Sequence, residues 1–430
     1  MKLFRKLEAK SKQLVVNVMW LLGTEVTARA TRLLTIIAMA FYLSPTEYGI
    51  VMLTLAANDV VRLVLRCGAG AQIVQCAEEE LTRYCRNGMS VQWIVCSSLT
   101  LIQIAVSQVF GMFYDSPQVQ ELLFAMSFVY LLYPLTSVQV YLVQREAKLD
   151  YFSIRNGSCL LAENLSIPVF LWLGAGLWSI VLSKFLFGIL WTILFINAPV
   201  KRYSPVFEPQ FIVQMLKNSG RLVTTELSRA LRLHSDVFVA AKLIQPEMFG
   251  LYAFAKSAGI GVSQAISNAF NAALFPYLCQ SHRDGVSTKA VRNGLFLMVG
   301  VACLFLVQGF AAPIYVPMIF GEKWLLAADV ITILCTAAIC LLMLDTYCNI
   351  QRAKGQFQSE LNTRFVFSSL AVATFLLWQP DSLEQCAYAV LAGSAIWPAY
   401  FVICKLTQLN TTNSRTVVSE EERSCVTKAQ

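Results

Sequence analysis

The chain has 430 residues, 57% of them hydrophobic and only 14% charged, with a formal net charge of +8. A soluble globule of this size would lack the polar surface to cover itself, so the solvent for most of the chain is lipid. Apolar stretches recur, each long enough to cross a hydrocarbon core of about 30 Å as a helix, and the alternating ten-residue strands of a lipid-facing barrel are missing. The expected fold class is therefore all-α, a polytopic membrane protein.

Taken in chain order, twelve spans are predicted: 15–42, 48–68, 90–113, 120–143, 154–175, 177–197, 219–243, 249–277, 291–319, 325–348, 361–379 and 385–406. The first carries Glu25, Arg29 and Arg32 in its middle and lacks a small-residue cleavage site, so it reads as a span and not as a signal peptide. The connections sort by charge. One set holds the basic residues before the first span, Arg83 and Arg86, Arg145 and Lys148, Lys201 and Arg202, Arg283 and Lys289, and Arg352 and Lys354. The alternate set, around 44–47, 114–121, 245–247 and 379–384, has no Lys or Arg, and 321–324 has Lys323 alone. By the positive-inside rule the basic set is cytoplasmic, as are both termini. Topology and anionic headgroups then account for the net charge, and no nucleic acid is needed as a partner. Residues 408–430 read as a disordered cytoplasmic tail.

An offset of 201 residues superimposes Thr24-Glu25 on Thr225-Glu226, Pro45 on Pro246 and Tyr48-Gly49 on Phe249-Gly250, and a slightly larger one pairs Gln144-Arg145 with Gln351-Arg352. These matches predict two parallel six-helix lobes, 1–200 and 201–407, with a substrate held between them as in many transporters.

Charges at membrane depth are costly and normally face a bundle interior or a watery cavity. They concentrate on four spans. The first has Glu25, Arg29 and Arg32 beside an arc of Thr24, Thr27, Thr31 and Thr35; the second has Asp59 and Arg62; the seventh has Glu226, Arg229, Arg232, His234 and Asp236; the eighth has Lys256. These four helices are the expected lining of a positively biased cavity. Arg29, Arg32, Arg62, Arg229, Arg232 and Lys256 are the candidate anion contacts, and Glu25, Asp59, Glu226, His234 and Asp236 the candidates for ion coupling. The competing reading is that pairs such as Glu25 with Arg29 or Asp59 with Arg62 are intrahelical ion pairs that tie helices together. Glu163 and Lys184, on the fifth and sixth spans, are expected to pair with each other.

The thirteen cysteines are scattered singly and only two histidines are present, so the thiols read as small hydrophobes and no metal site is expected. No phosphate-cradling glycine loop or nucleophile elbow appears, and no connection is long enough for a catalytic domain, so no enzyme and no cofactor are expected.

Motifs of the order Leu43-Ser44-Pro45-Thr46-Glu47-Tyr48-Gly49, Gln144-Arg145-Glu146, Gly174-Ala175-Gly176-Leu177-Trp178, Asp236 with Gly250-Leu251-Tyr252, and Phe320-Gly321-Glu322-Lys323-Trp324 with Ala327-Ala328 run through most of the chain. In their order and spacing the chain resembles bacterial polysaccharide-repeat-unit flippases, the O-antigen and colanic-acid exporter type, in the superfamily that also holds multidrug MATE exporters and lipid II flippases. The resemblance implies a MATE-like V-shaped bundle in the bacterial inner membrane. It implies an undecaprenyl-pyrophosphate-linked oligosaccharide as substrate, moved from the cytoplasmic to the periplasmic leaflet, with membrane lipids and the pathway's polymerase and chain-length components as partners. A pyrophosphate is the anion that surplus buried arginines would receive in bidentate fashion. A cation-coupled multidrug exporter, which would call for an acidic cavity, and a lipid II flippase are the alternatives.

Overall fold

The motif at 43–49 shows how this sequence turns one helix into the next. Ser44 sits in extended backbone as the N-cap of a helix that opens on Pro45. The Ser44 hydroxyl accepts from the Glu47 amide at 3.3 Å while the Glu47 carboxylate accepts from the Ser44 amide at 2.8 Å, a complete capping box. Proline is tolerated there because the first helical N–H has no partner inside the helix. The second copy of the motif, at 244–250, keeps the proline but has Gln245 as N-cap without a side-chain cap.

A computed structural model describes residues 27–400 except 29, 68, 147 and 284–286. Every regular element among them is helical: α1 (Ala30–Tyr42), α2 (Pro45–Arg62, continued by a 3-10 turn Leu63–Cys67), α3 (Gly70–Gln75), α4 (Leu81–Phe113), α5 (Pro117–Ser127), α6 (Ser137–Arg145), α7 (Leu149–Trp172), α8 (Trp178–Ile196), α9 (Pro209–Leu243), α10 (Pro246–Lys256), α11 (Val262–Arg283), α12 (Ser287–Phe320), α13 (Ala327–Ala353), α14 (Phe357–Trp378) and α15 (383–400). Six of them (α2, α4, α8, α12, α13 and α14) are apolar and long enough to cross a membrane. The fourth expected span is not one straight helix: Pro134 lies in a 3-10 stretch and the chain bends by 52° between α5 and α6. A seventh crossing results if that bent pair counts as one. The eighth expected span is interrupted by a π-helical turn at Ser257–Gly261. The tail and the first part of the first span lie outside the described residues.

The chain divides into two compact units. The first contains everything up to Ala258 together with Pro313–Ala328 and Asp381–Leu383. Within it α2 packs along α10, and the repeat-related glycines make the crossing. A Cβ on Gly49 would stand 3.1 Å from the Gly250 Cα, and one on Gly250 would overlap the Pro45 carbonyl outright. Only glycines let two backbones approach this closely. Arg145, singled out in the sequence, caps the end of α3: its guanidinium donates to the carbonyls of Ile73 at 2.8 Å and Cys76 at 2.7 Å and pairs with Glu78 at 2.8 Å. The segment after α8 docks on the start of α4. Glu208 accepts from Arg83 at 2.6 Å and from Asn87 at 2.9 Å, and Ser90 donates to the Val206 carbonyl at 2.8 Å.

The second unit holds the remainder of α11 to α15. Phe305, Ala338 and Leu342 form one apolar cluster and Leu344, Cys348, Phe367 and Trp397 another. Its ionic centre is Glu360, which accepts from Arg352 at 2.5 Å and Arg364 at 3.0 Å, while Arg364 also reaches Asp345 at 2.9 Å. Cys85, Cys96, Cys159, Cys335, Cys348 and Cys386 are buried thiols outside any disulfide.

Candidate functional site

Two ion pairs in the first unit join neighbouring helices. Lys184 of α8 meets Glu163 of α7 at 2.6 Å, with both side chains largely buried, as the sequence suggests. Lys256, the last residue of α10, meets Asp236 of α9 at 2.7 Å and donates to the Leu233 carbonyl at 2.9 Å; the second Asp236 oxygen accepts from the Tyr252 hydroxyl at 2.7 Å. Lys256 and Asp236, singled out in the sequence for different roles, are thus one neutral hydrogen-bonded group.

Three further titratable groups lie near these pairs without such closure, Arg62 and His234 half-buried and Arg32 exposed. Arg62, in the last turn of α2, lies 5.5 Å over the Phe187 ring and in the electrostatic field of Tyr133, Glu163, Asp59 and Tyr130. Arg32 on α1 acts on the same Glu163. His234 on α9 lies in the field of Lys256, Asp59, Asp236 and Arg32. The i,i+3 spacing of Asp59 and Arg62 permits an ion pair, yet among the described residues neither they nor Arg32 form one. The physical reason lies in the backbone: α2 ends at Arg62 and tightens into a 3-10 turn, and the guanidinium is drawn over Phe187. Among the described residues, four cations (Arg32, Arg62, Lys184 and Lys256) stand near three acids (Asp59, Glu163 and Asp236).

The threonine arc of α1 does not line this interior as a free polar face. Thr31 and Thr35 are buried, and Asn164 of α7 donates to Thr31 Oγ1 at 3.0 Å while its carbonyl accepts from Thr35 Oγ1 at 2.8 Å. A helical wheel shows that a face is polar but not whether water or another helix meets it. Glu25 and Arg29, and the side chains of Glu226, Arg229 and Arg232, lie outside the described residues. Tyr133 and Phe187 are neighbours of Arg62 that the sequence gives no reason to select, because aromatic residues abound in every span.

A buried network backs the site. The Tyr130 hydroxyl donates to Gln103 Oε1 at 2.7 Å and sits 3.1 Å from Asn58 Oδ1, and Gln103 Nε2 donates to the Leu123 carbonyl at 3.1 Å. These bonds tie α2, α4 and the Pro134 segment together immediately beside Asp59 and Arg62.

The fold and sequence have relatives. Over 328 residues, 74% of this chain and 80% of the other, the sequence is 21% identical to the amylovoran biosynthesis protein AmsL of Erwinia amylovora. The structure superimposes on the lipid II flippase MurJ in an inward closed conformation with a TM-score of 0.68 at 11% identity, over 90% of this chain and 87% of that one. It superimposes on an inward-facing multidrug resistance MATE family transporter with a TM-score of 0.67 at 12% identity, over 89% and 95%. These two likenesses show a shared fold. The polysaccharide biosynthesis protein family matches residues 38–329, more than half the chain, and the protein belongs to that family.

Proposed function

We propose that the protein is a flippase that carries undecaprenyl-pyrophosphate-linked oligosaccharide repeat units from the cytoplasmic to the periplasmic leaflet of the bacterial inner membrane, by alternating access between lobes 1–200 and 201–407. The observation that carries this reading is the cationic surplus around Arg62 and Arg32. Lys184 and Lys256 are each matched by a carboxylate, whereas these two guanidiniums have none among the described residues. An unmatched guanidinium at membrane depth calls for an anion, and its planar fork suits a pyrophosphate. A MATE-type exporter of cationic drugs would be served by the reverse balance. The family match and the likeness to AmsL support surface polysaccharide as the pathway; the lipid II flippase likeness supports a polyprenyl-linked cargo.

Deleting the gene tests the assignment. Surface polysaccharide is lost and lipid-linked repeat units accumulate on the cytoplasmic side; unchanged polysaccharide with raised sensitivity to cationic dyes transfers the assignment to drug export. Within the site, Arg62→Ala lowers export steeply at normal expression, and Lys at that position restores it in part because it keeps charge but not the fork. Arg29 and Arg229, each close to a repeated glutamate in the sequence, follow the same rule. Full export by a Glu25→Arg, Arg29→Glu swap assigns that pair to structure instead.

A further inference from the structure

The charge rule leaves two lysines at the span ends opposite the basic loops, Lys242 and Lys323. Both donate to backbone carbonyls at a helix end, in opposite directions: Lys323 from a loop to the end of α1, Lys242 from α9 to the end of α4. Lys323 donates to the α1 carbonyls of Leu43 at 2.8 Å and Phe41 at 3.1 Å, and the neighbouring Trp324 indole donates to Ala40 at 2.9 Å. Trp324 is fully buried between Phe254 of α10, 4.3 Å away, and Tyr48 of α2, 5.3 Å away. The loop between α12 and α13 thus closes over the end of α1 and the crossing of α2 with α10. On the other side of the repeat, the loop between α4 and α5 does the same to α9. The Tyr114 hydroxyl donates to the Phe238 carbonyl at 2.9 Å, Phe110 packs on Phe238 at 5.7 Å, and Lys242 donates to the Phe113 carbonyl at 2.6 Å.

The two aromatic contacts correspond, with the lysine on the loop in one and on the helix in the other. Under the 201-residue offset Ala40 corresponds to Ala241, one turn beyond Phe238, and the two loops join corresponding spans. Each loop turns through a residue with positive φ, Asp115 at 49° and Gly321 at 93°. In each, a loop of one repeat donates a hydrogen bond from an aromatic side chain to a backbone carbonyl near the C-terminus of the first helix of the other repeat. A lysine adds a cation at that negative helix end. We propose that these loops are a pair of reciprocal latches, Tyr114 with Lys242 and Trp324 with Lys323, that hold the outer ends of the two repeats shut and must release for the site to open outward. The proposal rests on the alternating-access reading above. The Trp324 indole is fully buried and Tyr114 only partly so, while both lysines are exposed, Lys242 lying 4.0 Å from Asp115, so the Trp324 hydrogen bond makes its latch hold harder.

The test is substrate-free, so it is separate from the identity of the cargo. In a cysteine-free protein with a single cysteine at Met52, half-buried on α2 against Ser257, an impermeant maleimide is added to right-side-out vesicles. Trp324→Phe and Lys323→Met each raise the labelling rate several-fold, Tyr114→Phe raises it less, and Trp324→Phe with Tyr114→Phe raises it beyond either alone. Lys323→Arg, which keeps the donors, stays near the parent. A cysteine beside Arg145 remains unlabelled in all variants, showing that the protein is inserted and intact. Unchanged labelling in both Trp324→Phe and Tyr114→Phe, or a double variant no more reactive than the parent, overturns the latches. Labelling that responds while deletion leaves polysaccharide intact keeps the latches and removes only the cargo.

Discussion

Gly250→Ala is the most discriminating single substitution at the α2–α10 crossing. Its methyl would overlap the Pro45 carbonyl and stand 3.2 Å from the Pro45 Cα, and these are backbone atoms with no rotamer to yield. Relief requires the helices to separate until carbon and oxygen reach about 3.3 Å, a normal close approach. Overpacking of this kind costs about 1–3 kcal/mol, enough to shift a two-state equilibrium about 5- to 150-fold. Gly49→Ala is milder, because its nearest neighbour at 2.9 Å is the rim of the Phe249 ring, which can turn. With the Met52 cysteine reporter, Gly250→Ala labels at least about five-fold faster from outside than the parent, and Gly49→Ala falls between them. Export drops because the outer end no longer closes. Wild-type labelling and export in Gly250→Ala at normal expression, or a larger effect from Gly49→Ala, would refute the reasoning that this crossing is a closure made of backbone.

Lys184→Met strands a buried carboxylate and lowers stability by about 3–5 kcal/mol, read as thermal unfolding in detergent; adding Glu163→Gln recovers most of the loss. Asn164→Ala removes its side-chain hydrogen bonds to the Ala28 carbonyl and Thr31 at a cost of about 0.6 kcal/mol each, leaving the Thr35 bond to the Asn164 backbone carbonyl in place; the loss is measurable in the same melt and absent for Asn197→Ala. Hydrogen bonds from Arg83 and Asn87 hold the Glu208 carboxyl below its usual range. A depressed carboxylate contributes stability above its unfolded value of about 4.3, and the contribution is lost only as pH falls through the lower folded value. Proteolysis of the 199–208 segment is therefore unchanged between about pH 7.5 and about pH 5, whereas Glu208→Gln cleaves faster throughout.

The helical fold was legible because hydropathy alone decides where a chain can leave water, whereas the capping box at Ser44-Pro45-Thr46-Glu47 entered only as a family marker and the second span was placed from 48. Glu163 and Lys184 could be paired from sequence because each is the lone charge of its apolar run. Asp59 and Arg62 do not form the intrahelical pair of the competing reading: their spacing satisfies the rule, but the 3-10 turn and the Phe187 ring, 125 positions from Arg62 along the chain, decide the geometry. The 52° bend after Pro134 had a visible cause in a span that hydropathy renders continuous. Phe320-Gly321-Glu322-Lys323-Trp324 stood out only as a family marker, since its partners are carbonyls, which no side-chain pattern reveals.

The Asn164 junction with Thr31 and Thr35 reverses the usual map of mutational tolerance. In water a helix is held by its buried leucines, and its threonines are freely exchanged. On α1 the large apolar side chains Leu33, Leu34, Ile37 and Phe41 are exposed and, in a bilayer, meet acyl chains as apolar as themselves, so trading one for another changes little. The hydroxyls and one amide carry the docking. A saturation scan of α1 should therefore show its sharpest losses at small polar positions and its broadest freedom at bulky apolar ones, the inverse of the profile by which a soluble amphipathic helix is identified.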